Sequence, residues 1–172
     1  MLFRSQGALF GVGAYATALL APALGIVAMP LAVIVTGLFA LLVGWPTLRL
    51  QSHYFALATL AVAALVHLVA VNLESLTGGA NGLMGFGARL PHGLWLLGLV
   101  WINLAAALAF QEWLFGGRRG EAARLLREAP LVAASLGIDG ARWRLIAFAA
   151  GGALAGGAGA AIAALNGVVS PD

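Results

Sequence analysis

Residues 118–144 read RRGEAARLLREAPLVAASLGIDGARWR, and their reading decides the fold. Six of the nine basic residues lie here, all of them arginines: Arg118, Arg119, Arg124, Arg127, Arg142 and Arg144. Long apolar runs flank the stretch, 93–115 before it and 145–165 after it. A charged, helix-forming segment between two runs of spanning length is a loop held at one face of a bilayer. Its place and composition make it the part through which another subunit would act on this chain.

The whole chain has the same character. Its 172 residues are 62% hydrophobic and 9% charged, with a mean hydropathy of +1.00, whereas a soluble domain carries about 25% charged residues. The expected fold is all-α, a polytopic transmembrane helical protein with the lipid bilayer as its solvent. An isoelectric point near 10.6 would raise nucleic acid as a partner in a soluble protein. Here the positive-inside rule accounts for the arginines, and no nucleic acid is expected. The absence of cysteine removes disulfides and thiolate chemistry. His53, His67 and His92 are too scattered to bind a metal. Residues 151–159, GGALAGGAG, are glycine-rich but lack the lysine of a phosphate-binding loop, and the chain has none. Neither a catalytic site nor a bound cofactor is expected, so this is no enzyme. The N-terminus shows no cleavable signal peptide; it reads as a first spanning helix, or as a chain that begins partway into a longer protein.

Five spans fit the hydropathy: about 7–24, 31–45, 53–73, 93–115 and 145–165. Pro22 and Gly25 make the first turn, Pro30 opens the second span, and Trp45-Pro46 stops it. The external loop is 74–92, where Gly78, Gly79, Gly82, Gly87 and Pro91 argue against a regular helix. The cytoplasmic loop is 116–144. This arrangement places Arg4, Arg49 and the six loop arginines inside, with only Arg89 outside. A short tail from Asn166 lies outside.

Within the spans, small residues recur at helical intervals. Gly152, Gly156, Ala160 and Ala164 share one face of the fifth span, and Gly7 and Gly11 share one face of the first. Lipid tails give helices no hydrophobic reason to associate, so close approach through small residues is the expected packing device; a dimer seam or a transport path is the alternative. His67 and Asn72 would face protein or water, as packing hydrogen bonds or as cavity lining. His53 and Tyr54 read as interfacial anchors, and Glu112 can reach Arg118, Arg119 or the interface. The large loop divides into a helical piece, 121–127, and a second piece, 131–136, begun by Pro130 and capped by Gly137. The second piece is too short to span and too apolar for a linker. It would either lie on the lipid surface or dock in a groove of a soluble partner.

Three blocks resemble a known family. Gln6-Gly7-Ala8-Leu9-Phe10-Gly11-Val12-Gly13-Ala14-Tyr15 is one. Tyr54-Phe55-Ala56-Leu57-Ala58-Thr59-Leu60-Ala61, followed by Leu76-Thr77-Gly78-Gly79-Ala80-Asn81-Gly82-Leu83, is the second and most specific. The third is 120–138 with Val168-Val169-Ser170-Pro171. Together they resemble the LivM-type permease subunit of branched-chain amino acid ABC transporters. The resemblance implies an importer permease in the bacterial inner membrane. It would work with a second homologous permease subunit, two cytoplasmic ATP-binding subunits that use the ATP, and a periplasmic substrate-binding protein. It assigns the coupling loop, with Glu128, Val132, Ala133, Ala134, Ser135, Leu136 and Gly137, to a groove of the ATPase. Thr77, Gly78, Gly79, Asn81 and Gly82 are candidates for contact with substrate or with the binding protein. A urea or short-chain amide importer is the near alternative, and a truncated, non-transporting scaffold that binds the ATPase is another. The chain departs from the family in having Pro130 where an acidic residue is usual, with Glu128 two positions earlier. The family also has helices before and after the matched blocks, so a partial chain is expected.

Overall fold

The structure is a computed structural model that describes residues 3–48, 52–87, 90 and 93–171. Arg49, Arg89, Pro91 and His92 fall outside these, as do the side chains of Arg4 and His53. The chain is helical almost throughout. Helix α1 is Phe3–Leu24, α2 is Ala28–Thr47, α3 is Ser52–Asn72, α4 is the single turn Glu74–Thr77 and α5 is Leu94–Phe115. Helix α6 is Gly117–Glu128, α7 is Pro130–Ser135 and α8 is Gly140–Asn166. Two short strands, β1 (Leu83–Met84) and β2 (Val168–Val169), complete it.

Among the described residues, four helical stretches are long and apolar enough to cross a membrane: Gln6–Thr47, Tyr54–Asn72, Leu94–Phe115 and Gly140–Asn166. The first, 42 residues long, would reach about 60 Å if straight, twice the roughly 30 Å hydrocarbon core. It turns back instead, at the 3₁₀ turn Gly25–Val27, where Gly25 has φ +54°. The expected break at Pro22 is displaced: α1 runs through Pro22 to Leu24. Pro30 lies in the first turn of α2, where its missing N–H leaves no bond unmade.

Helix α8 is the axis of the bundle. Gly152 faces Ala40 of α2 and Leu9 of α1; four residues on, Gly156 faces Thr36 and Gly13. Gly159 meets the backbone of Phe10 and Ala14, and Gly157 meets Val33 and Asn103. Read along α8, the partners on α1 ascend and those on α2 descend, so α1 runs parallel to α8 and α2 antiparallel. Helix α5 is antiparallel too, since Asn103 sits by Gly157 and Leu114 lies near Trp143. Helix α3 packs against α1, and its Phe55 also lies edge-on to Phe148 of α8 at 6.3 Å.

The centre of the bundle is made of small side chains. Ala21, Ala28, Ala32 and Ala40 are fully buried, and the largest fully buried side chains are Thr17 and Thr36. Each threonine hydroxyl donates to a carbonyl four residues back, Gly13 at 2.9 Å and Ala32 at 2.7 Å, so neither leaves a polar group unmet in an apolar interior. The large apolar residues point outward: of α5 only Leu96 and Leu114 are buried, while Trp95, Trp101 and Ile102 are exposed. That inversion of a soluble core is what a bilayer solvent permits.

Gly152 and Gly156 thus lie against α1 and α2. Gly7 and Gly11 do not: nothing lies within 4 Å of a Cβ added at either. The glycine of α1 that does pack is Gly13, where a Cβ would run into the Gly156 backbone. The face of α1 that meets α8 is the one bearing Gly13, not the one bearing Gly7 and Gly11. Gly156→Val drives a side chain into Thr36, whose Cβ is 2.5 Å from where a Cβ would stand. It should destabilise the detergent-solubilised protein by about 1–3 kcal/mol. Gly98→Ala on α5, where an added Cβ meets nothing, should leave the thermal midpoint unchanged or slightly raised.

Candidate functional site

The two ends of α8 carry the candidate residues, and they lie about 40 Å apart along its 27 residues. At the N-terminal end are α6 and α7. The expected loop 116–144 is therefore mostly helix, and its last residues, including Arg142 and Arg144, belong to α8. The reason is local. Asp139 caps α8, its Oδ1 accepting from the N–H groups of Ala141 at 2.9 Å and Arg142 at 3.2 Å. Its Oδ2 also pairs with Arg142 Nε at 3.1 Å. The sequence signal is an Asp at the N-cap position ahead of the polar first turn of α8.

Helix α7 begins with Pro130 at its first position. It ends at Gly137, φ +77°, in two reversed bonds: Gly137 N–H to Ala134 O and Ile138 N–H to Ala133 O, each 3.0 Å. Only four residues (Leu136, Gly137, Ile138 and Asp139) separate α7 from α8. Ala133 is buried beneath α7, whereas Leu131 (87% exposed), Val132 and Leu136 project outward. Ala134 is exposed as well, and Ser135 donates from Oγ to Val132 O at 2.8 Å. Glu128 is the exposed last residue of α6. Glu112 forms no ion pair among the described residues; Arg119 instead stacks over Trp113 at 4.2 Å.

At the other end the glycine segment is tied to the tail. Strands β1 and β2 pair antiparallel, Leu83 with Val169 and Met84 with Val168, and Gly85 N–H donates to Gly167 O. A Cβ on Gly82, φ +69°, would strike the Val169 carbonyl, so glycine is required twice over there. Thr77, buried, donates from Oγ1 to Ala70 O at 2.6 Å and accepts from the Gly79 N–H at 3.3 Å. The Gly78 and Gly82 N–H groups donate to Glu74 O and Gly79 O. The amides of Gly78, Gly79 and Gly82 are thus used within the turn itself, and Asn81 is left exposed beside them. The expected irregular loop 74–92 holds, within its described residues, a helical turn, a 3₁₀ turn at Gly79–Asn81 and a strand.

Toward this end of the bundle, α1, α3 and α8 line a half-open cavity of about 440 Å³. Gly7 and Gly11 line it, which is where they are used, together with His67, Asn166 and the tail at Ser170 and Pro171. His67 Nδ1 lies 3.2 Å from the Pro171 carbonyl oxygen. Asn72 donates from Nδ2 to Leu68 O of its own helix at 2.8 Å. Among the described residues no group of His, Cys, Asp and Glu is placed to hold a metal.

An all-α bundle of spanning helices, with an exposed apolar helix at one end and a cavity beside a glycine turn at the other, is the framework of a polytopic membrane protein. The chain belongs to the family described as the branched-chain amino acid transport system permease component, which matches residues 5–172. Members of that family are transport permease components, not enzymes. The chain is 31% identical to the high-affinity branched-chain amino acid transport system permease protein LivM of Salmonella typhimurium. It is 30% identical to the Escherichia coli protein of the same name. Each match covers 100% of this chain and 48% of the relative, so the chain spans about half the length of the curated relatives it matches. No solved structure matches it.

The strand ladder is open to a direct check in a protein without native cysteine. Leu83→Cys with Val169→Cys should form a disulfide under mild oxidation, because paired antiparallel Cα atoms lie within bridging range. Adding Gly82→Ala should cut the yield by more than half, read as residual free thiol by mass spectrometry after alkylation.

Proposed function

We propose that the chain is a permease subunit of an ATP-driven importer for branched-chain amino acids. It would be set in the inner membrane with α6 and α7 on the cytoplasmic side. The supporting observation is the conjunction of a family match over residues 5–172 with a short apolar helix left uncovered at the arginine-rich end. Leu131, Val132 and Leu136 give α7 a face that a groove on a cytoplasmic ATP-binding subunit would bury. The second permease subunit would cover the exposed face of α5 or α2, and a periplasmic binding protein would deliver substrate to the end bearing the glycine turn.

The mechanics follow from the chain's own geometry. A displacement of α7 is passed through the reversed bonds at Gly137 and the Asp139 cap into α8 with little slack. Helix α8 is clamped to α1 by backbone contact and to α2 by the side chains of Thr36 and Ala40 set against its glycines, so it cannot bend freely and must tilt with them. Its far end carries Asn166 and the tail that line one side of the cavity. Binding energy at one end would thereby alter access to a cavity at the other, which is alternating access about a rigid lever.

Ser135→Cys, as the only thiol, should react with an impermeant maleimide in inverted vesicles and not in intact cells. The ATP-binding subunits should protect it; reaction unchanged by those subunits would refute docking. Asn81→Cys should label from the opposite side. Asp139→Ala should weaken the cap by about 1 kcal/mol. It should lower uptake of labelled leucine more than it lowers binding of the ATPases, since it loosens the joint and spares α7. Uptake of labelled urea in place of leucine by the assembled system would move the assignment to an amide importer.

A further inference from the structure

A second hollow, of about 290 Å³, opens at the arginine-rich end between the last turn of α5, α6 and the first turns of α8. Leu114, Phe115 and Ala147 give it an apolar side, and Trp143, Arg127 and Arg144 also line it. Both arginines are exposed, and among the described residues neither has a carboxylate partner; the one ion pair there joins Arg142 to Asp139. An Nη of Arg144 is 3.5 Å from where a Cβ of Gly140 would stand, with Leu126 on the same side. Two unpaired guanidinium groups over an apolar wall ask for a ligand that is anionic at one end and apolar at the other.

The depth of the hollow says which ligand. Helix α8 reaches about 40 Å, some 10 Å beyond a hydrocarbon core of roughly 30 Å, so its first turn stands at headgroup level. Trp143 and the Arg119–Trp113 stack mark the same level, where aromatic rings gather at a membrane surface. No residue of α7 lines the hollow, which separates it from the surface left for a cytoplasmic partner. We infer that this groove holds an anionic phospholipid, its phosphate between Arg127 and Arg144 and the start of an acyl chain against Leu114, Phe115 and Ala147. Guanidinium groups grip a phosphodiester through paired N–H donors, and basic pockets at the ends of spanning helices suit such headgroups. The inference rests on the spanning fold and not on transport.

The test uses the whole chain in a neutral detergent, titrated with phosphatidylglycerol and with phosphatidylcholine bearing brominated chains. Quenching of tryptophan fluorescence, compared with Trp143→Phe, isolates the signal of the groove. Phosphatidylglycerol should bind on the order of tenfold more tightly than phosphatidylcholine. Arg127→Gln with Arg144→Gln should abolish that preference, and Arg142→Gln should not. Arg127→Lys with Arg144→Lys, which keeps the charge and the fold, should retain part of it. Equal binding of the two lipids would overturn the inference, as would a preference that survives the double glutamine variant. Displacement of the lipid by millimolar inorganic phosphate would show a simple phosphate site and would overturn it too. So would a double variant that keeps the lipid preference and loses the ATP-binding subunits, since the arginines would then serve the protein partner.

Discussion

Everything in this structure depends on backbone meeting backbone along α8. At Gly156 the helix touches α1 at Gly13 and α2 at Thr36 at once, and a single Cβ on either glycine would separate them. A soluble bundle holds such helices together by taking large side chains out of water. A bilayer offers no such gain, so the attraction must come from many short van der Waals contacts, and these fall off steeply with distance. Glycine, alanine and self-satisfied threonine are the residues that allow the approach. The same choice frees the large residues, leucines and tryptophans, to face the lipid.

This constraint links the two ends. Because α8 is gripped along its middle, its N-terminal joint and its C-terminal tail belong to one stiff element. The joint is defined by two small pieces of capping chemistry, the Gly137 reversal and the Asp139 carboxylate. The tail is defined by the two-residue ladder to the glycine turn. Between them α1 and α3 stand apart enough to leave the cavity, and they do so at Gly7 and Gly11, where no neighbour fills the groove. Small residues therefore serve two opposite ends in α1. Gly13 removes space between helices, and Gly7 and Gly11 leave it open.

Several features were legible in the order of residues. Hydropathy marked every long helix, since a run without charge of spanning length has few alternatives. Pro130 and Gly137 marked α7 correctly, because each has a backbone conformation that sets a boundary by itself. The helix ends near Pro22, Pro30 and Gly140 were placed less well. A proline in a first turn or close to a last one is tolerated, and a polar helix start after Asp139 shows no change in hydropathy.

What the sequence by itself determined was the solvent and the segments: an apolar chain of helices with one arginine-rich end. Those follow from composition and local conformation, which each residue carries with it. Tertiary structure alone decided which glycines pack and which line a cavity, because spacing gives a face of a helix but not the neighbour that face will meet. It decided also that the amides of the glycine turn are consumed within the turn, and that residues 83–84 and 168–169, far apart in the chain, form one ladder. A pairing of that kind depends on where α8 delivers its C-terminus. Only the close fit of α8 against α1 and α2 fixes that position.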